Sequence, residues 1–242
     1  MNRKPSPQRF PGEALYRRWA LLLLALPLGA EALPNFSAHY DLSIRGIHAG
    51  QMKMNAVLTP KSYMVDTKTE PSLPAKMLGY GPITEMAQGA ISNQRLLPQQ
   101  YWRQMEGNEK YQLRYHYDLK KKNVEAVVGG QPVLLHYQQQ IPLDTLALII
   151  QALLDEERQQ PAASYTLLSE DKIRSYKVEK LKDERWQDDQ NRSITVKVYR
   201  QTHANRRTMI YLAENPLRLV KLQQIKNDQS LFVLKLTHYK TL

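Results

Sequence analysis

Residues 142–160, PLDTLALIIQALLDEERQQ, constrain the fold more than any other stretch of this chain. From Leu146 to Leu154 only Gln151 is polar. Leu143, Leu146, Ala147, Ile150, Leu153 and Leu154 recur at spacings of three and four, which is one helical face. Leu148, Ile149 and Ala152 make the other sides apolar as well. A helix apolar nearly all round is buried on more than one side. Asp144 suits the N-cap, where its carboxylate accepts the orphan amide hydrogens of the first turn. Leu143 and Leu148 stand where a hydrophobic staple would place them. The run from Asp155 to Arg158 is expected to mark the return to water, and Pro161 stops the helix, which therefore covers about 144–159. About sixteen residues at roughly 1.5 Å each span about 24 Å, too short to cross a bilayer.

Around this helix the pattern has period two, the signature of half-buried strands. Phe36, Ala38, Tyr40, Leu42 and Ile44 alternate with polar residues. Gly46 and Gly50 bracket a turn, and Met52, Met54, Ala56 and Leu58 follow, then Tyr63, Val65, Thr67 and Thr69. Tyr111, Leu113, Tyr115, Tyr117 and Leu119 form the clearest alternation in the chain. After Pro161, strands are expected at 165–168, 175–181, 193–201, 208–212, 217–225 and 231–238. Residues 71–84, with three prolines and two glycines, break the ladder pattern. Yet Leu73, Met77, Leu78, Tyr80 and Ile83 make this loop apolar, so it either tucks under the sheet or covers an opening as a lid. The charged stretch 182–192 around Trp186 is the expected flexible segment. The reading is a mainly β chain: one long, curled, half-barrel-like antiparallel sheet packed around one central α-helix.

The first 32 residues read as a secretory signal peptide rather than as part of the fold. Arg3, Lys4, Arg9, Arg17 and Arg18 form a basic region, WALLLLALPL from Trp19 to Leu28 an apolar core, and Ala30-Glu31-Ala32 a cleavage site. The alternative is an uncleaved anchor, for which the apolar run is short. Cleavage after Ala32 leaves a single domain over 33–242, exported to the periplasm and without a transmembrane segment. The chain has no cysteine, so neither disulfides nor a lipidated first residue enter the argument. Removing the leader's five basic and two acidic residues takes the net charge from +11 to +8. After export, anionic lipid head groups are a more plausible acidic partner than nucleic acid.

The residues show no P-loop, nucleophile elbow, zincin motif or dinucleotide fingerprint. Ser169-Glu170-Asp171-Lys172 matches S-x-x-K between two strands, without the helix that such an acylase needs. Six histidines are scattered singly. No catalytic residue, metal ligand or cofactor is therefore expected, and the chain reads as non-catalytic. Two functional readings stay open. In one, a lipid or lipidated ligand lies between the concave sheet face and the helix, contacted by Leu78, Tyr80, Tyr111, Tyr115, Leu146 and Ile150. In the other, the helix fills the sheet and the protein docks an envelope protein partner.

Several segments together resemble the bacterial domain-of-unknown-function family 3108. They are the opening strand and its glycine turn (Tyr40 to Gly50) and Gln88-Gly89-Ala90-Ile91 leading to Leu97-Pro98-Gln99-Gln100-Tyr101. Leu143-Asp144-Thr145-Leu146 and Glu214-Asn215-Pro216-Leu217-Arg218-Leu219 complete the set. The resemblance runs from about Phe36 to Leu242. It implies an exported protein with an antiparallel half-barrel similar to that of periplasmic lipoprotein carriers of the LolA/LolB type. That step is a likeness of folds and implies no activity.

Overall fold

A computed structural model describes residues 33–108, 110–188 and 191–242. The leader read in residues 1–32 lies outside them. Residues Ala32–Leu242 form one compact unit. The first half runs through β1 (Phe36–Ile44), β2 (Ile47–Leu58), β3 (Ser62–Pro71), α1 (Leu73–Met77), β4 (Tyr80–Ser92) and β5 (Arg95–Gly107). It continues through β6 (Tyr111–Asp118), β7 (Asn123–Val128), β8 (Gln131–His136) and α2 (Thr145–Glu157). The second half holds β9 (Ser164–Ser169), β10 (Lys172–Lys180), β11 (Glu184–Gln187), β12 (Ser193–His203), β13 (Arg206–Ala213), β14 (Arg218–Lys226) and β15 (Gln229–Thr241).

All these strands join one antiparallel sheet in the order β8-β7-β6-β5-β4-β3-β2-β1-β15-β14-β13-β12-β10-β9, with β11 paired to β12. The two halves meet where β1 pairs with β15, Phe36 opposite Thr241 and Ile44 opposite Phe232. The sheet does not close into a barrel. The edge of β9 is covered in part by the segment before α2: Leu143 bridges Leu167 in parallel, its amide donating to Thr166 at 2.8 Å and its carbonyl accepting from Leu168 at 2.8 Å. At the other edge β8 carries Pro132, which has no amide hydrogen to offer a further strand.

The inward residues of the strands and the apolar sides of α2 make one core. Tyr40, Met54, Tyr63, Val65, Ala87, Tyr101, Tyr115, Tyr117 and Val124 pack with Leu146, Ala147, Ile150, Leu153 and Leu154. A helix lying on a sheet needs both partners to be apolar where they touch, and the period-two and helical patterns meet that need on the same side. A smaller cluster of Val196, Val198, Tyr211, Ala213 and Val220 lies apart from it.

Three segments depart from the sequence reading. Residues 80–84 belong to β4, whose ladder to β3 runs to Ile83 opposite Thr69; a register shift between Tyr80 and Ile83 absorbs Gly81 and Pro82. The rest of the 71–84 segment does not tuck under the sheet, because α1 has no buried residue. Within 182–192, Glu184–Gln187 forms β11 in register with β12. The ring of Trp186 anchors it against Tyr211, 5.1 Å away.

Candidate functional site

The wing formed by β5, β6, β7 and β8 carries an open cleft of about 950 Å³ on its outer face. Alternation creates this face. In β6, Leu113, Tyr115 and Tyr117 are buried while Gln112, Arg114 and His116 are exposed, as successive side chains of a strand point to opposite faces. The register then lines up two cross-strand rows. Trp102 lies opposite Arg114, Arg114 opposite Val127 and Val127 opposite Pro132. Gln100 lies opposite His116, His116 opposite Glu125 and Glu125 opposite Leu134. All eight line the cleft. Leu134 is 54 % exposed, although it is a leucine in a ladder strand. Among the described residues Arg114 forms no ion pair. An indole, aliphatic side chains and an unpaired guanidinium in one concavity suit an amphipathic ligand with an anionic group.

Behind this wing, on the core side, a polar cluster holds β4, β5 and β3 together. The Glu85 carboxylate accepts from Tyr101 Oη at 2.6 Å, from Arg103 Nε at 2.7 Å and from Thr67 Oγ1 at 3.3 Å. Tyr101 stacks on Tyr115 with ring centroids 5.3 Å apart, and the Tyr115 hydroxyl donates to the Glu170 carbonyl at 3.0 Å. Burial raises the phenol pKa values of Tyr101 and Tyr115 above their ordinary range, so both stay protonated and act as donors.

Polar groups also mark both ends of α2. At the first turn Asp144 Oδ1 accepts from the amides of Leu146 at 3.0 Å and Ala147 at 2.9 Å, the expected N-cap. Its Oδ2 is buried without a hydrogen-bond partner, as are the hydroxyls of Tyr63 and Tyr117. Burial, against the pull of those two amides, pushes the Asp144 carboxyl up to about 7. At the last turn Asp155 and Glu156 are buried, which corrects the expectation that they mark the return to water. Asp155 accepts from Gln151 Nε2 at 2.9 Å, from Tyr165 Oη at 2.9 Å and from Arg158. Glu156 accepts from Lys197 and from Tyr199. Hydrogen-bonded partners of opposite charge are what allow acids to stay inside.

The residues expected to contact a ligand do not converge. Leu146 and Ile150 are fully packed in the core, so the space between helix and sheet is filled by side chains. Leu78 and Tyr80 stand exposed on the other side of the wing's turn, beside a crevice of about 150 Å³. Tyr111 is half-buried with its hydroxyl inside and unpartnered. Of the six, Tyr115 alone borders the 950 Å³ cleft. Sequence patterning does not single out Trp102, Arg114, His116, Val127 and Leu134, which read as the wet side of ordinary strands. An apolar Val127 and Leu134 on that side are the available signal.

No family model matches this chain, and no curated protein does. Among solved structures it is similar to the crystal structure of a beta-barrel-like protein of domain of unknown function DUF1849 from Brucella abortus. The two share 12 % identity over 87 % of this chain and 98 % of that one, with a TM-score of 0.54. Both have a beta-barrel-like fold built on a large antiparallel sheet. At this identity the likeness speaks for the fold alone.

Proposed function

We propose that this chain is an exported, non-catalytic binding module of the bacterial cell envelope; the resemblance to family 3108 supports the export alone. Its ligand is lipid-like and lies in the cleft of β5–β8 rather than between helix and sheet. The observation that carries this reading is the cleft itself, with its unpaired Arg114 and its half-exposed Trp102, Val127 and Leu134. A cleft of this size falls within the range of small-molecule sites. The guanidinium would hold a carboxylate or phosphate, and the indole and aliphatic side chains an acyl chain. The leader and the basic net charge support export towards an anionic surface.

Native mass spectrometry of protein purified without detergent, followed by solvent extraction, tests the reading. A stoichiometric lipid-sized adduct is expected, lost on Leu134→Asp and weakened about tenfold or more on Arg114→Ala, in line with the loss of a charge-assisted contact. Trp102 fluorescence should respond as an acyl ligand is titrated in. A bare mass, with Trp102 unmoved by fatty acid or phospholipid, would overturn it. The filled core favours the second reading, an envelope interaction protein, and that same bare mass would move the conclusion there.

A further inference from the structure

One end of the sheet is apolar on its outside. Ile44, Ile47, Leu73, Met77, Leu78 and Tyr80 are between 49 % and 82 % exposed. They come from two segments that touch, the β1–β2 turn and the connection from β3 through α1 to β4. The Ser72 amide donates to the Ala49 carbonyl at 2.8 Å, and Ser72 Oγ to the His48 carbonyl at 3.2 Å. Single exposed apolar residues are ordinary, but a contiguous group is not.

The exposure is built in. None of the five residues of α1 is buried, and its N-cap Ser72 gives no side-chain hydrogen bond to it; a helix this short has little stability of its own. What holds it is the chain on either side. Gly79 adopts a φ of +88°, and a Cβ there would meet the Asn108 side chain. The Asn108 amide donates to the Gly79 carbonyl at 2.9 Å. The tip is thus pinned to the neighbouring hairpin while its apolar side chains point away from the core.

The charges of the two segments are of one sign. Residues 44–48 and 72–80 contain Arg45 and Lys76 and no Asp or Glu; the acids beside them are Glu70, 2.6 Å from Lys68 and 4.0 Å from Lys76, and Glu106, at the crevice next to Leu78 and Tyr80. Leucine, isoleucine and methionine at a tip, a tyrosine at its base and basic residues beside them match the composition of segments that enter the head-group region of a membrane. Each basic residue near an anionic leaflet adds to the attraction. Among the described residues no helix is long and apolar enough to cross a membrane, so attachment through this end would be peripheral.

We propose that the Ile44–Ile47 turn and the α1 tip form a membrane-docking end that inserts its apolar side chains into the surface of an anionic lipid bilayer. The site is separate from the cleft, and neither proposal rests on the other. The chain has no cysteine, so a single introduced one takes a polarity-sensitive fluorophore at a chosen place. The full chain carrying Leu78→Cys, labelled and mixed with phosphatidylglycerol vesicles, should brighten and shift to the blue. The same label at Lys120→Cys, in the turn between β6 and β7 at the opposite end of those strands, should not. The shift at position 78 should weaken on phosphatidylcholine vesicles and in high salt, and vanish when Leu73→Asp and Met77→Asp are added. It should survive Arg114→Ala, which separates docking from ligand binding in the cleft. An unmoved label at position 78, or equal shifts at 78 and 120, would overturn the proposal and leave the apolar end to a protein partner.

Discussion

At its first turn α2 buries Asp144 among tyrosines, whereas at its last turn it buries Asp155 and Glu156 against cations. The helix dipole explains part of the difference. A carboxylate is favoured at a helix N-terminus and disfavoured at the C-terminus. Asp144 therefore manages with two backbone amides, although among the described residues no cation pairs with it. Asp155 and Glu156 sit where the field opposes them, and each has drawn in basic and phenolic partners: Arg158, Arg95 and Tyr165 for one, Lys197 and Tyr199 for the other. The first end holds its acid by weakening its acidity, and the second holds its acids by neutralising them. Removing a partner should therefore be severe at the second end, while a change of pH should act mainly at the first.

The sharpest test is Lys197→Met, which keeps the length of the side chain and removes its charge. Lys197 bridges the buried Glu156 and the more exposed Glu214, 2.7 Å away. Glu156 would be left with Tyr199 as its donor. Uncompensated buried charges cost about 3–5 kcal/mol, and a loss of that size should appear as a fall in the midpoint of chemical unfolding. A change below about 1 kcal/mol would mean that Lys197 is not what holds Glu156 inside, and the contrast between the ends would fail.

Asp144 offers the converse experiment. Its folded-state pKa is raised, from 3.8 to about 7. The folded chain thus binds the proton more tightly than the unfolded chain. Stability from this group is complete below about pH 4 and is lost as pH rises towards 7, by a few kcal/mol in all. Burial raises the pKa most, the amides of Ala147 and Leu146 pull it back, and the Glu85 carboxylate adds to the rise. Asp144→Asn keeps the cap, since asparagine is equally good at an N-cap, and removes the titration. The variant should be more stable than the parent at pH 8 and less sloped between pH 4 and 7. Parallel stability profiles for the two proteins would show that Asp144 ionises freely.

Much of this arrangement is legible in the amino-acid sequence. The sheet can be read because period-two alternation records which face is buried, as in β1 and β6, and the N-cap because its partners lie within three residues. Distance along the chain hides the rest. Glu156 stays inside because of Lys197 and Tyr199, 41 and 43 residues later, whereas its own neighbourhood, Asp155-Glu156-Glu157-Arg158, has the composition of a surface. The cleft is hidden for another reason: Arg114 and His116 do face solvent, and what makes that face concave is the curl of four strands, which no alternation encodes. The α1 tip escapes a reading that equates apolar content with burial, and Leu78 shows that the two can part.

Gln151 ties the last turn of α2 to the β4–β5 turn, and its loss shows whether these two act as one. Its side chain accepts from the Leu96 amide at 2.8 Å and donates to the Gln94 carbonyl at 3.2 Å, fastening the β4–β5 turn to the helix, and it donates to Asp155 as well. Gln151→Leu suits the apolar surroundings but strands a buried amide and takes one donor from Asp155. Leaving a buried donor unpaired costs about 1–3 kcal/mol, and hydrogen exchange at the Leu96 amide should quicken more than elsewhere in β5. Uniform quickening across the core would instead mean that the turn and helix unfold only together.

The smallest effect belongs to Arg95, the outermost partner of Asp155. Its guanidinium lies 3.5 Å from Asp155 Oδ2, and its side chain is 58 % exposed. Solvent screens such a pair, so Arg95→Ala should cost less than about 1 kcal/mol and lose most of that cost in high salt. Arg158, 20 % exposed and on the same carboxylate, supplies the internal standard. Arg158→Ala should cost distinctly more, because water replaces a buried guanidinium poorly. If the two variants melt alike, Asp155 is held chiefly by the uncharged donors Gln151 and Tyr165. The two ends of α2 would then differ in the number of hydrogen bonds each acid accepts rather than in charge.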